Sequence, residues 1–108
     1  MTGGGGGGYG GGSRASDDCT IIEPTALNSV QQAAIPQISV GQKLDVDVVT
    51  QNKHQVLVAR LPGGQIVGSL TPPSVADILN CINMGHAYVA VVLRIQPGAL
   101  VRVEIRPK

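Results

Sequence analysis

Phenylalanine and tryptophan are absent from this 108-residue chain, and tyrosine occurs only twice. Without large rings, a core must be filled by Val, Ile, Leu and Ala. Val and Ile are β-branched and fit a pleated sheet, so composition alone favours strands. Charge is also sparse: eight Lys and Arg against seven Asp and Glu give a net charge of +1. That balance excludes the strongly basic surface of a non-specific nucleic-acid binder, which must neutralise many phosphates. A local basic patch stays open. Cys19 and Cys81 lie far apart and form no CxxC, and the two His cannot complete a zinc site with them at a usual ligand spacing. Both cysteines read as reduced structural thiols. No apolar run approaches the roughly 18 residues of a membrane span. Nor does a basic segment followed by an apolar one, the mark of a secretory leader, open the chain. The expectation is a cytoplasmic protein with no membrane partner, no metal and no cofactor.

Glycine, by contrast, is concentrated at one end. Residues 3–8 and 10–12 are all Gly, broken only by Tyr9, and residues 13–18 are small or polar. Such a stretch cannot bury enough apolar surface to offset the entropy of ordering it. Residues 1–18 are predicted to be a disordered tail and 19–108 a single domain. The glycine run is not a phosphate loop, because it follows no strand and lacks the Lys-Ser or Lys-Thr that touches phosphate and magnesium.

Within 19–108 the patterning is mostly that of strands. Cys19–Glu23 is a short strand candidate stopped by Pro24. Residues 25–34 are either a helical turn or a loop, ended by Pro36. Lys43–Val49 alternates cleanly, with Leu44, Val46 and Val48 on one face and Lys43, Asp45 and Asp47 on the wet one. Gln55–Leu61 is nearly all apolar, and Gln65–Leu70 returns from the turn at Pro62-Gly63-Gly64. Gly68 inside that strand suggests a bulge or a close backbone approach. Thr71-Pro72-Pro73-Ser74 starts a helix at about 73–84, with Val75, Ile78, Leu79 and Ile82 as its buried stripe and Gly85 as its stop. Two prolines at its start remove donors that an anion would need.

The final pair of strands, Ala87–Ile95 and Ala99–Arg106, flanks Gln96-Pro97-Gly98. A three-residue loop there pairs Val92 with Arg102, Ala90 with Glu104 and Tyr88 with Arg106. One face is then wholly aliphatic (Val89, Val91, Leu93, Ile95, Ala99, Val101, Val103, Ile105). A two-residue loop would mix arginine with aliphatics on both faces, so the first register is predicted. The order β-β-β-β-α-β-β, mainly β with one helix, fits a small partly open β-barrel of the SH3 or OB kind.

No Ser/His/Asp set stands in motif context, no HExxH occurs, and Asp45 and Asp47 share an ordinary wet strand face. No catalytic residue and no small-molecule substrate is evident. The predicted outer face of the last hairpin instead carries Tyr88, Arg94, Arg102 and Arg106. A ring and guanidinium groups are what single-stranded nucleic acid contacts use. Lys53 and His54, in the loop before the central strand, are further candidates beside the barrel mouth. Val92 and Leu100, apolar on that same face, are candidate contacts to another protein.

Residues 56–95 read VLVARLPGGQIVGSLTPPSVADILNCINMGHAYVAVVLRI: an apolar strand, a Gly-rich turn, GxxVGxL, a Pro-led helix and GxxYxAxV. Through Gly64, Val67, Gly68, Leu70, Pro72, Ala76, Leu79, Gly85, Tyr88 and Ala90 this stretch resembles the HIRAN domain, a small barrel of helicases and of standalone bacterial modules. The resemblance implies a barrel fold and binding of DNA, single-stranded ends in particular. The family's Arg-Glu-Pro segment and Asn/Asp-rich turn, which help form its DNA site, are replaced here by Thr50–His54. Two expectations follow. One is a non-catalytic binding module that contacts another protein or a second copy of itself. The other is a HIRAN-like barrel that contacts single-stranded DNA through the last hairpin.

Overall fold

The computed structural model describes residues 19–108; the predicted tail, 1–18, lies outside the described residues. Six strands follow in chain order: β1 (Glu23–Asn28), β2 (Lys43–Gln51), β3 (His54–Arg60), β4 (Ile66–Leu70), β5 (Tyr88–Gln96) and β6 (Leu100–Pro107). A 3-10 helix (Gln32–Gln37) separates β1 from β2, and an α-helix, α1 (Val75–Asn83), separates β4 from β5. The strands close into an antiparallel barrel in the order β1-β4-β3-β2-β5-β6. The predicted order and the single helix are borne out. The partly open edge is not: β1 pairs with both β6 and β4 and seals the wall.

The first strand was misplaced by Pro24. Proline lacks the N–H that a central strand needs, which made it look like a stop. Yet β1 runs through it, because Glu23–Ala26 pair only with β6 and the contact with β4 begins at Leu27. On its other side Pro24 therefore has no strand to disappoint. Gly68 allows the crossing from one neighbour to the next. A Cβ on it would stand 2.9 Å from the Asn28 carbonyl oxygen and 3.4 Å from Leu27 Cβ.

The two connections through β3 are tight. Asn52 and Lys53 have φ of 50° and 68° and form a two-residue turn between the paired Gln51 and His54. Positive φ at both central positions matches the twist of the flanking strands. Gly64, at φ 100°, donates its N–H to the Leu61 carbonyl in the turn into β4.

The barrel interior is filled from the walls and from both ends. Leu44, Leu57, Ala59, Val67, Leu70, Ala90, Val92, Val101, Val103 and Ile105 are buried in one core. At one mouth α1 contributes Ile78 and Cys81; Ala34 of the 3-10 helix joins the same core. The helix stops at Gly85, where His86 N–H reaches the Cys81 carbonyl and Gly85 N–H that of Ile82, a pairing that satisfies the last free carbonyls. Among the described residues no buried side-chain N or O lacks a hydrogen-bond partner.

The cysteines correct the sequence reading. Cys19 and Cys81 form a disulfide, with Cα atoms 5.6 Å apart and 62 residues of separation. They are not reduced thiols. Spacing offered no cue, since the pairing depends on how α1 swings back over the segment before β1.

Candidate binding surface at the end of the last hairpin

The register of β5 on β6 decides which hairpin side chains face solvent. From Tyr88 to Val92 the pairs run Tyr88–Pro107, Val89–Arg106, Ala90–Ile105, Val91–Glu104 and Val92–Val103. The register then shifts, and Arg94 pairs with Arg102, Ile95 with Val101 and Gln96 with Leu100. Leu93 is the extra residue of a β-bulge. The loop does have three residues, but they are Pro97, Gly98 and Ala99. Such a bulge inverts the side-chain phase of everything beyond it. Without it, Arg94 would follow the inward phase set by Tyr88, Ala90 and Val92. With it, Arg94 is exposed and Ile95 packs against the core.

The predicted faces are therefore right for β6 and inverted for the first half of β5. On β6, Val101, Val103 and Ile105 are buried, while Leu100, Arg102 and Arg106 are exposed. On β5, Tyr88 and Val92 are core residues, each 1% exposed. Tyr88 is no stacking platform. Its hydroxyl donates to the Cys19 carbonyl at 2.6 Å. Burial pushes its phenol up from the ordinary value, against a smaller downward pull from the backbone N–H of Ile21. Val92 offers no contact to a partner. Both faces of β5 are apolar, so hydrophobicity could not choose between them.

The remaining candidates are scattered. Arg106 is held by the carboxylate of Glu104. Lys53 and His54 sit at the β2–β3 turn. Because Lys43 pairs with Val91 and Asp45 with Val89, that turn and the β5–β6 turn lie at opposite ends of the barrel. The one cluster the fold assembles is Arg94 directly across from Arg102. Neither makes an ion pair or a side-chain hydrogen bond among the described residues. Like charges directly opposed on two strands repel, and among the described residues no carboxylate relieves them. Leu100, 59% exposed, and the bulged Leu93, 44% exposed, flank the pair. Between Leu100, Arg102, Gln96 and Ala26 lies a depression of about 230 Å³ with Leu27 and Val101 beneath it.

A larger groove, of about 630 Å³, crosses the outer face of β3 and β4. Val56, Val58 and Ile66 line it, with Gln31, Gln51 and Gln65 as polar neighbours. Its one cation is already engaged: Arg60 donates to Asp47 at 2.9 Å and to the Gly64 carbonyl at 2.7 Å. The groove thus presents amides and aliphatics but no uncompensated charge among its described lining residues.

The N-terminus of α1 is also occupied from within. Glu23 accepts hydrogen bonds from the Ser74 N–H at 2.9 Å and the Ser74 hydroxyl at 3.0 Å. Among the described residues no three His, Cys, Asp or Glu side chains gather around a point where a metal could sit, and no helix is long and apolar enough to cross a membrane. The chain matches no protein-family model, no curated protein and no solved structure.

Proposed function

We propose that this protein is a non-catalytic binding module that docks another protein through the end of its last hairpin. The observation that carries the reading is the Arg94–Arg102 pair, opposed with no acid partner among the described residues, between exposed Leu93 and Leu100. Arginine beside exposed aliphatics over a shallow depression is the composition of an interface centre, where arginine is enriched and apolar contact excludes water. The complementary partner carries a carboxylate opposite the arginines and an aliphatic side chain that enters the depression beside Leu100. A second copy of this chain is one form of such a partner. The closed wall means that the contact uses side chains rather than a free strand edge.

The test is a photo-crosslinking amino acid placed at Leu100, with a second chain labelled at Lys53 as control. The expected result is a discrete adduct at position 100 that is absent at position 53 and lost on Arg94→Glu. Equal labelling at both ends would overturn the reading. Size measurement of the purified chain over a concentration series separates self-association from capture of a different protein.

The same arginine pair supports a second reading, the HIRAN-like contact with single-stranded DNA. Two phosphate contacts give a salt slope of about −1.4 for a single strand. Binding of a labelled oligonucleotide would then weaken roughly sevenfold between 50 and 200 mM salt. A slope several times steeper would point to phosphate contacts elsewhere on the chain, and no binding at low salt would remove this reading.

A further inference from the structure

We infer that Cys19–Glu23 is a strap that clamps α1 across the barrel mouth, and that its disulfide places the working protein in an oxidising environment. The strap is not strand until Glu23, yet it is fastened to the helix at both ends. Glu23 holds Ser74, the residue before the first turn, through two hydrogen bonds. Cys19 holds Cys81, in the last turn, through the disulfide. At the Cys19 end the backbone carbonyl also accepts the Tyr88 hydroxyl, which ties the strap to β5 as well. One side of α1 faces the core through Ile78, and the strap secures it there with no strand pairing before Glu23.

The redox state of the clasp follows from its position. The two cysteines of the chain are bonded to each other, and both are buried, Cys81 completely and Cys19 to 5% exposure. A thiolate that attacks a disulfide must reach one sulfur, so buried bonds exchange only after local opening. This is the behaviour of a structural bond. Its formation removes two electrons and two protons from the two thiols. They pass to a disulfide donor, which leaves as a dithiol. Compartments kept reducing by dithiols do not sustain such bonds, and oxidising ones do. The bond removes one ground of the cytoplasmic expectation, the reading of both thiols as reduced.

Two measurements on the full chain test the inference. Acid-quenched thiol trapping in the source cells reads the redox state where the protein works. Both cysteines are expected to stay unlabelled until denaturation with reductant, and labelling of both in most of the population would overturn the environment. Hydrogen exchange on the purified protein, before and after reduction with dithiothreitol, reads the clasp. Reduction is expected to speed exchange of amides in 75–83 at least tenfold, leave β2 and β3 protected, and lower Tm by more than about 10 °C. Unchanged exchange and Tm would overturn the clasp. If Cys19→Ser with Cys81→Ser fails to fold, the reduced wild-type chain supplies the same comparison.

Discussion

Gly68 sits where the end of β1 crosses β4, and nothing larger than hydrogen fits there without movement. The obstacle is a backbone oxygen, Asn28 O, so no side-chain rotation can relieve it. Gly68→Ala should cost about 1–3 kcal/mol, read as a lower urea midpoint with an unchanged slope. Tyr88 makes a different demand. Its folded-state phenol is raised by burial, so above about pH 10 the unfolded chain releases a proton that the folded chain keeps. Stability is then flat below that pH and falls as pH rises through it. Tyr88→Phe should cost about 1 kcal/mol at neutral pH and should remove this residue's share of the alkaline loss; an unaltered pH profile would show that the loss arises elsewhere. Arg102 separates stability from binding. Arg102→Glu converts a repulsive cross-strand pair into an attractive one, worth about 0.2–1 kcal/mol. It should raise the melting temperature slightly while abolishing the adduct at position 100.

The strands differ in how openly their sequences declare them. β2 and β6 alternate apolar with charged residues, and their inward sets (Leu44, Val46, Val48 and Val101, Val103, Ile105) were readable directly. The helix declared itself through Ile78 and its neighbours and through Gly85. β5 did not, because Val89 and Val91 are as apolar as Ala90 and Val92. Val89 is buried although it points outward, between Asp45 on β2 and Arg106 on β6. The Lys108–Asp45 pair belongs to the same surface. Of the candidate site, the arginines and Leu100 were legible. Their adjacency was not, since it depends on one inserted residue, Leu93. The Cys19–Cys81 bond was hidden because no local spacing encodes a contact across 62 residues. Turn chemistry yields one further prediction. Lys53 adopts φ 68°, a region that costs a non-glycine residue about 1 kcal/mol or more. Lys53→Gly should therefore stabilise the β2–β3 hairpin by about 0.5–1 kcal/mol, measured by urea unfolding.

Taken whole, the molecule is a small barrel whose ends are closed by short helices and whose entry is stapled. Closing a loop of 62 residues removes conformational entropy from the unfolded chain worth roughly 4 kcal/mol. For a domain of this size that is a large share of the 5–15 kcal/mol by which proteins are commonly stable. The reduced chain should accordingly unfold at a much lower urea concentration than the oxidised one, with a larger slope as its unfolded state expands. An equal midpoint would mean that the core of Leu, Val and Ile suffices by itself.

The pairing of β1 with β6 has a consequence in time as well as in space. Glu23–Ala26 take their partners from Arg102–Ile105, so the wall cannot close before the sixth strand is available. During synthesis β2, β3 and β4 can meet as a meander while β1 still waits for most of its hydrogen bonds. Contacts so distant along the chain impose a loop-closure cost before they return any energy, and folds dominated by them complete in milliseconds to seconds rather than microseconds. The first strand of this barrel thus waits for the last one, whereas both cysteines of the bond beside it precede β5 in the chain.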